Sequence, residues 1–498
     1  MAISTAVDPS AVARVLGIKT QFRNLQGGNV TVLPMRIAVV GQGATASTYA
    51  TTKAQVFSAT EAGNTYGFGS PVHLACEQLL PASGDGVGII PVTVYPMEDN
   101  GSGVAAAGDI TPTVGSIVQA NYQVSINNIL SEYFTVEVGD AVADVVDKMV
   151  VAVNAVSRMP MIASDGTTKL DLTSKWKGAS ANDLQIEVIG STTSGMTWAY
   201  TQPTGGSANP TVDASLAQFG NVWETMVMNC LDVADTTALT KYAEVNEGRW
   251  GALVRKPFIA FSGDTNTTVA SAIAVPDARK TDRTNCQLVA PGSKDLPFVV
   301  AARQLARIAK VANSNPPQDY GSQQATGLTP GADGDQWDAA QRDTAVKAGS
   351  STIQVKDDVI NISDVVTFYH PTGDDTPAYR YVVDVIKVMN ILFNTDIRFS
   401  LPEWDGAPLI PDDQATVNPT AKKPKMAKAV IADMIDGLAL EAIISDPDAA
   451  KETILAAISS SNPKRLDASY TVQLVGNTNI ISIDFNFGFY FGTAPVVG

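Results

Sequence analysis

The sequence predicts an α/β core, a mixed sheet with flanking helices, which is interrupted by a small α+β insertion domain and extended at both ends by arms. Strand, helix and strand patterns follow one another between residues 36 and 95, as in a βαβ unit. Two soft, Gly- and Ser-containing segments at 97–108 and 201–215 bracket a self-contained run of strand and helix patterns. The α/β alternation then resumes, which is typical of a domain inserted into a larger one.

The predicted boundaries follow these segments. The chain has 498 residues, more than one typical core, so two or three domains are expected. The prediction is an N-terminal linking arm at 1–25, a discontinuous core at 26–98 plus 216–477, an inserted α+β domain at 99–215 and a C-terminal linking arm at 478–498. In the first arm, the apolar residues do not recur with the period of a helix or strand that packs against a core. They are Val12, Val15, Leu16 and Ile18.

Apolar runs and helical periodicity place the elements of each domain. In the core they predict strands at 36–40, 87–95, 222–230, 257–261 and 286–290. They predict core helices at 71–80, 237–248, 297–312, 336–348, 379–394, 426–444 and 447–459, and a loop at 313–334. In the insertion they predict strands at 122–129, 133–138 and 183–189 and a helix at 141–156.

The C-terminus carries a strong local pattern. Tyr470, Val472 and Leu474 alternate with polar residues, and Gly476-Asn477 predicts a two-residue hairpin turn. Six apolar residues then share one face of a second strand: Ile481, Ile483, Phe485, Phe487, Phe489 and Phe491. This face is covered either by the core of its own domain or by a neighbouring subunit to which the strand is added.

Composition excludes several classes of protein. Fifty acidic against 34 basic residues leave a net charge of −16, which opposes binding to nucleic-acid phosphates. Only 17% of residues are charged, which favours a protein that buries much surface in partners. No apolar stretch is long enough for a transmembrane helix, and the N-terminus lacks the pattern of a secretory signal. We therefore expect assembly in the cytoplasm and no membrane insertion.

One motif suggests a cofactor. Gly41, Gly43 and Ala46 follow a predicted strand with the spacing of a dinucleotide-binding loop, and Glu61 stands where a ribose-binding acid would be. The alternative function is thus an NAD-type oxidoreductase. The residues after Ala46 are rich in threonine, a poor start for the helix that such a site needs. We favour a plain pair of glycines between a strand and a loop.

Other chemistry is scarce in the sequence. His73 and Cys76 share a predicted helix without further ligands nearby, and His370 stands alone. The three cysteines are far apart, and no G-x-S-x-G, H-E-x-x-H, Walker A or Cys-x-x-Cys motif occurs. The sequence therefore predicts that the protein is not an enzyme and has no catalytic, cofactor or metal site.

A basic cluster stands out against the acidic background. Lys422, Lys423, Lys425 and Lys428 lead into the amphipathic helix predicted at 426–444. The cluster is either a solvated helix start or a contact with an acidic surface of a partner.

The motifs taken in order resemble a known family. The runs 37–43 (IAVVGQG), 56–62 (VFSATEA) and 66–71 (YGFGSP) are similar to the opening of tail sheath proteins from Mu-like contractile-tailed bacteriophages. The run 176–183 (WKGASAND) resembles a stretch of their inserted domain, and 366–371 (VTFYHP) with 379–384 (YRYVVD) resembles the segment before their C-terminal region. The resemblance extends from about residue 30 to the end but does not cover the extreme termini residue by residue.

This resemblance implies a structural role in a virion tail assembled in the host bacterial cytoplasm. Copies of the chain would form six-fold rings stacked helically around a tail tube, with the insertion outside. The arms would complete a β-sheet in neighbouring subunits. The implied partners are other copies of the chain, the tail tube protein, the baseplate and the tail terminator. A different virion protein, such as a capsid or tube subunit, is disfavoured by the length and by the insertion.

Overall fold

The computed structural model describes residues 30–374, 377–479, 482–485 and 487. The strands of the first half are β1 (Ile37–Gln42), β2 (Ala54–Val56), β3 (Val92–Met97), β4 (Ala105–Val114), β5 (Ala120–Ile126), β6 (Ile129–Leu130), β7 (Phe134–Val136), β8 (Met161–Asp165), β9 (Leu170–Lys177), β10 (Ile186–Gly190) and β11 (Met196–Thr204). Those of the second half are β12 (Met226–Asn229), β13 (Ile259–Asp264), β14 (Asn285–Val289), β15 (Thr352–Lys356), β16 (Val359–Asp364), β17 (Ile444–Ser445), β18 (Leu455–Ile458), β19 (Leu466–Ser469) and β20 (Gln473–Leu474).

The helices alternate with these strands. They are α1 (Ala59–Tyr66), α2 (Pro71–Leu79), α3 (Val142–Asn154), α4 (Asp213–Ala217), α5 (Thr236–Trp250), α6 (Val269–Ala272), α7 (Ala274–Asp277), α8 (Pro297–Ser314), α9 (Ala339–Lys347), α10 (Val382–Phe399), α11 (Pro424–Leu440) and α12 (Pro447–Glu452). Short 3-10 turns lie at Ala179–Asp183 and Asp333–Asp335.

A six-stranded mixed sheet forms the centre of the α/β fold, as predicted. Its order is β14-β13-β12-β1-β3-β2, with β2 antiparallel and the other strands parallel. The parallel strands are short apolar runs because helices cover both faces. On one face, Ile37 and Val39 of β1 belong to the cluster that includes α2 and α8; on the other, Ala38 and Val40 pack with α4 and α5. The fold class predicted for the core is confirmed.

The residues between β3 and β12 build two antiparallel sheets around α3, here named the 105–204 unit. One sheet has the order β11-β4-β9-β8, and the other places β10, β6 and β7 around β5. The first strand, β4, pairs with the last, β11, so the chain enters and leaves the unit side by side. The prediction of flexible segments is wrong for Ala105–Gly108, which lie in β4, and for 201–204, which lie in β11.

The 105–204 unit packs closely on the α/β core. Trp176 of β9 is fully buried and meets Phe298 of α8 edge to face, with ring centroids 6.1 Å apart. The Asn127 side chain donates a hydrogen bond to the Lys294 carbonyl at 2.8 Å, and the Lys175 ammonium donates to the Phe68 carbonyl at 3.0 Å. The two parts therefore share one continuous hydrophobic core.

The region after residue 380 adds helices and small sheets around a second apolar cluster. Ile431, Met434 and Leu438 of α11 pack there with Ile391 of α10. The predicted helix at 447–459 is wrong after Glu452, because the following residues form β18. The predicted hairpin at Gly476-Asn477 is also wrong in the described residues, where β20 pairs with β17 and no strand occurs at 475–479 or 482–485.

The close approach of β13 to the start of α8 gives a testable consequence. A Cβ atom at Gly263 would lie 1.6 Å from the Pro297 carbonyl oxygen, so an added methyl group must displace the backbone of α8. Gly263→Ala should destabilise the subunit by about 3 kcal/mol in urea unfolding. The control is Gly248→Ala in α5, where a Cβ meets nothing within 4 Å and helix propensity predicts a gain of up to about 1 kcal/mol. Equal stabilities of the two variants would contradict this packing.

Candidate assembly interface

A row of buried polar side chains runs along the otherwise apolar helix α10. Asp384, Lys387, Asn390 and Asn394 are spaced by three, three and four residues, so they lie on one side of the helix. Lys387 and Asn390 are fully buried and Asn394 is 2% exposed. Buried polar groups need hydrogen-bond partners. Among these four residues, here named the α10 polar row, Lys387, Asn390 and Asn394 find partners in the segments at 31–33 and 475–477, and the half-buried Asp384 accepts from Lys387.

The first described residues lie along the C-terminal half of α10. The Asn394 side chain accepts a hydrogen bond from the Thr31 amide (2.9 Å) and donates one to the Thr31 carbonyl (3.0 Å). The Asn390 carboxamide oxygen accepts from the amide of Leu33 at 2.8 Å. The Met35 amide donates to the Asn313 side chain at the end of α8 (3.0 Å), and the chain then enters β1. The row thus fixes a segment without regular structure of its own.

The last residues of the continuous chain lie against the N-terminal half of the same helix. The Lys387 ammonium donates to the Val475 carbonyl (2.6 Å), to the Asn477 side chain (2.7 Å) and to the Asp384 carboxylate (2.9 Å). The three donors of a buried ammonium are therefore all used. Asn477 also donates to the Pro317 carbonyl at 2.7 Å, and the Asn479 side chain hydrogen-bonds the Tyr381 hydroxyl. Both ends of the described chain are held by one helix.

Most of the predicted arm residues lie outside the described residues: Val12, Val15, Leu16, Ile18, Ile481, Phe489 and Phe491. The other three are exposed, with Ile483 at 80%, Phe485 at 77% and Phe487 at 80%. The Phe485 and Phe487 rings stack on each other with centroids 6.0 Å apart. These three side chains are therefore not part of the subunit's own core. Their contact with a neighbouring subunit stays a prediction.

A hairpin with open edges lies near the C-terminus. Strands β18 and β19 are antiparallel, and Leu455 pairs with Ser469 at one end and Ile458 with Leu466 at the other. Within the described ranges, no other strand pairs with either of them. Leu455 is 64% exposed. A two-stranded sheet is marginal on its own, and its unpaired backbone groups can accept an added strand. The sequence analysis missed this hairpin because it assigned β18 to a helix.

The four lysines of the predicted cluster differ in whether their ammonium groups have partners. The Lys422 ammonium is paired with Glu403 at 2.8 Å and lies 4.9 Å from the centre of the Trp404 ring. Lys423 donates to the Gln414 carbonyl at 2.5 Å. Lys425 is exposed and Lys428 is half-buried, and neither has an ion-pair partner among the described residues. Unlike the ammonium groups of Lys422 and Lys423, those of Lys425 and Lys428 are not held by a contact among the described residues.

The predicted glycine pair has a packing role. A Cβ atom at Gly43 would lie 2.3 Å from the Tyr49 ring and 2.8 Å from the Tyr66 carbonyl, and one at Gly41 would lie 2.9 Å from Cys230 Sγ. Turn and loop follow β1 instead of a helix, so the strand–turn–helix geometry of a dinucleotide site is not formed. Glu61 instead accepts from the Phe57 amide at the start of α1. The structure therefore disfavours the NAD-type alternative.

His73, His370 and Cys76 are buried residues with structural contacts. His73 accepts a hydrogen bond from the Gly69 amide at 3.2 Å, and burial lowers its pKa to about 4. Burial raises the pKa of the Cys76 thiol to about 12, which makes the reactive thiolate scarce. One ring nitrogen of His370 lies 2.7 Å from the Phe368 carbonyl. No three His, Cys, Asp or Glu side chains in the described ranges are placed to hold a metal ion.

The search for membrane-spanning helices has a negative result. Among the described residues, no helix combines the length and the apolar character needed to cross a bilayer.

Comparisons with known proteins agree with the motifs. The chain is 22% identical over 406 residues to the tail sheath protein of the Mu-like prophage FluMu of Haemophilus influenzae, covering 79% of this chain and 81% of the relative. This similarity confirms the predicted resemblance to Mu-like tail sheath proteins. No protein-family model matches the chain.

Two solved structures are similar over most of the chain. One is a sheath tail protein of Listeria innocua, with a TM-score of 0.47, 12% identity, and coverage of 91% of this chain and 94% of that one. The other belongs to the baseplate of the anti-feeding prophage, with a TM-score of 0.48, 11% identity, and coverage of 96% of this chain and 100% of that one.

The buried ammonium of Lys387 gives a test of the α10 polar row. Lys387→Met leaves the Asp384 carboxylate, the Val475 carbonyl and Asn477 without their donor, so we expect a loss of about 3 kcal/mol in urea unfolding. The control is Lys347→Met in the exposed pair with Asp343, which should cost less than about 0.5 kcal/mol. Similar small effects of both substitutions would show that Lys387 does not hold the C-terminal segment.

Proposed function

We propose that this chain, which resembles the tail sheath proteins of Mu-like phages, is the structural subunit of a contractile tail sheath and not an enzyme. Copies polymerise as stacked six-fold rings around a tail tube, and contraction of the sheath drives the tube through the host envelope. The observation that carries the proposal is that one helix fixes both described chain ends and that exposed apolar residues lie beyond the second. The similarity to a tail sheath protein supports it.

The two arms are proposed to exchange strands between subunits. Residues 1–25 and, within the predicted arm 478–498, the residues beyond Asn479 would leave their own subunit and pair with a sheet of a neighbour. The β18–β19 hairpin is a proposed acceptor because no other described strand pairs with either of its strands. Sheets completed in this way join subunits without requiring any change in the α/β core.

Rough energies agree with a durable link. Each backbone hydrogen bond of an added strand contributes about 0.5–1.5 kcal/mol. Each phenylalanine of the arm that becomes buried adds about 1.5–3 kcal/mol. Several links per subunit would form a mesh that persists while rigid cores change their contacts with one another, a change of interface and not of fold.

The 105–204 unit corresponds to the inserted domain that we place on the outside of the sheath. The pairing of β4 with β11 supports an insertion, since the chain leaves the core and returns at one point. Its hydrogen bonds and buried contacts with the core support movement of the two as one body. Further proposed partners are the tail tube protein, the baseplate and the tail terminator, in a virion tail assembled in the bacterial cytoplasm.

Removal of an arm should abolish assembly and spare the fold. Variants lacking residues 1–20 or 480–498 keep the α10 contacts at Thr31, Leu33, Val475 and Asn477, so we expect soluble subunits with an unchanged melting temperature. Electron microscopy should show hollow tubes of uniform width for the full chain and none for either variant. Normal tubes from a truncated chain would refute the arm assignment.

A milder change tests the aromatic residues of the second arm. Phe485→Ser with Phe487→Ser should raise the protein concentration needed for tube formation. Phe57→Ser, at another exposed phenylalanine outside the arms, should leave that concentration unchanged.

The two unpaired lysines test the charged contact with a partner. Charge reversal by Lys425→Glu with Lys428→Glu should weaken assembly on a tube at low salt and leave the melting temperature unchanged, because neither ammonium has an ion-pair partner among the described residues. Lys356→Glu, at an exposed lysine of β15, is the control. Assembly with an intact salt dependence would exclude this contact.

A further inference from the structure

The α10 polar row holds the two chain ends in opposite halves of the helix. Thr31 contacts Asn394 and Leu33 contacts Asn390, so the described chain from residue 33 back to residue 31 runs toward the C-terminal end of this row. Val475 contacts Lys387 and Asn479 contacts Tyr381, so the described chain from residue 475 to residue 479 runs toward the N-terminal end of the row. Tyr381 and Asn394 are 13 residues apart, about 20 Å along a helix.

The side chains of Lys387, Asn390 and Asn394 are buried, whereas Thr31 and Asn479 at the two ends of the row are exposed. Val382, Val385, Ile386 and Met389 pack into the main core, whereas Ile391 packs into the C-terminal cluster. Helix α10 is therefore held by the main core and by the C-terminal cluster, while its polar row binds the described segments at 31–33 and 475–477. A single continuous helix therefore connects the described segment at 31–33 with the described segment at 475–479.

We propose that α10 is the strut through which tension passes between the two arms of a subunit, with Asn390, Asn394 and Lys387 as the positioning residues that fix the arms to it. The inference rests on the proposed function, in which each arm binds a second copy of the chain. A pull on the first arm reaches Thr31 and its two bonds with Asn394 before it reaches β1. A pull on the second arm reaches Asn479, Asn477 and Val475 before it reaches β20.

This arrangement protects the sheets of the subunit. Without the row, only the bonds of the Met35 and Arg36 amides would lie between the first arm and β1, which is in the middle of the six-stranded sheet between β12 and β3. With it, tension runs along the helix from one neighbour to the next. The arms can then transmit the displacement of one ring to another while the core stays folded.

The experiment compares two asparagines with the same bonding. Asn394 binds the amide and the carbonyl of Thr31, and Asn246 of α5 binds the amide and the carbonyl of Phe258, both at 2.8 Å. Only the first lies between the arms. Tubes of the full chain carrying Asn394→Ala or Asn246→Ala are sheared under identical conditions, and breaks per tube length are counted by electron microscopy. We expect about fivefold more breaks for Asn394→Ala and a wild-type number for Asn246→Ala.

Equal numbers of breaks in the two variants would overturn the strut and leave the proposed function intact, whereas a full chain that forms no tubes would overturn both. A second measurement covers a variant that fails to fold. Hydrogen exchange of the unsubstituted protein should show the Thr31 and Leu33 amides protected in the free subunit and in tubes. Rapid exchange of both amides in tubes would show that the first arm is detached from α10, which contradicts the strut.

Discussion

The burial of an ammonium and two carboxamides on one side of helix α10 constrains much of the subunit. Such groups are costly inside a protein unless each finds hydrogen-bond partners, and here the partners are the backbone at Thr31, Leu33 and Val475 and the side chain of Asn477. The described segments at 31–33 and 475–477 must therefore approach the same helix. Whatever lies beyond them starts from fixed points on the subunit, which is what an assembly linked by its termini needs.

The rest of the fold supplies a rigid body for those fixed points. Helices cover both faces of the parallel strands, and the 105–204 unit shares the core of the α/β part through contacts such as that of Trp176 with Phe298. The glycines after β1 allow aromatic rings to pack against the backbone, so the motif that suggested a dinucleotide site has a structural explanation.

Elements with strong apolar patterns could be predicted from the sequence. Elements whose residues are untypical of their secondary structure could not. The strand at 286–290 and the helices at 71–80 and 297–312 were placed within about two residues, because buried runs and helical periodicity are local signals. The start of β4 was mistaken for a linker because alanine and glycine are poor strand formers. The pairing of β17 with β20 depends on tertiary packing, which no local pattern reveals. The sequence analysis missed the α10 polar row, although polar residues at 384, 387, 390 and 394 of an apolar helix are a local signal; the partners of these residues depend on tertiary packing.

The most direct test of the account is an electron cryomicroscopy map of the assembled protein at a resolution that traces the backbone. The account predicts density that continues from Thr31, beside Asn394, into one neighbouring subunit, and from Asn479, beside Tyr381, into another. Both arms should appear as strands added to a sheet of the neighbour. Density showing either terminus folded against its own subunit, with the β18–β19 hairpin unpaired, would contradict it.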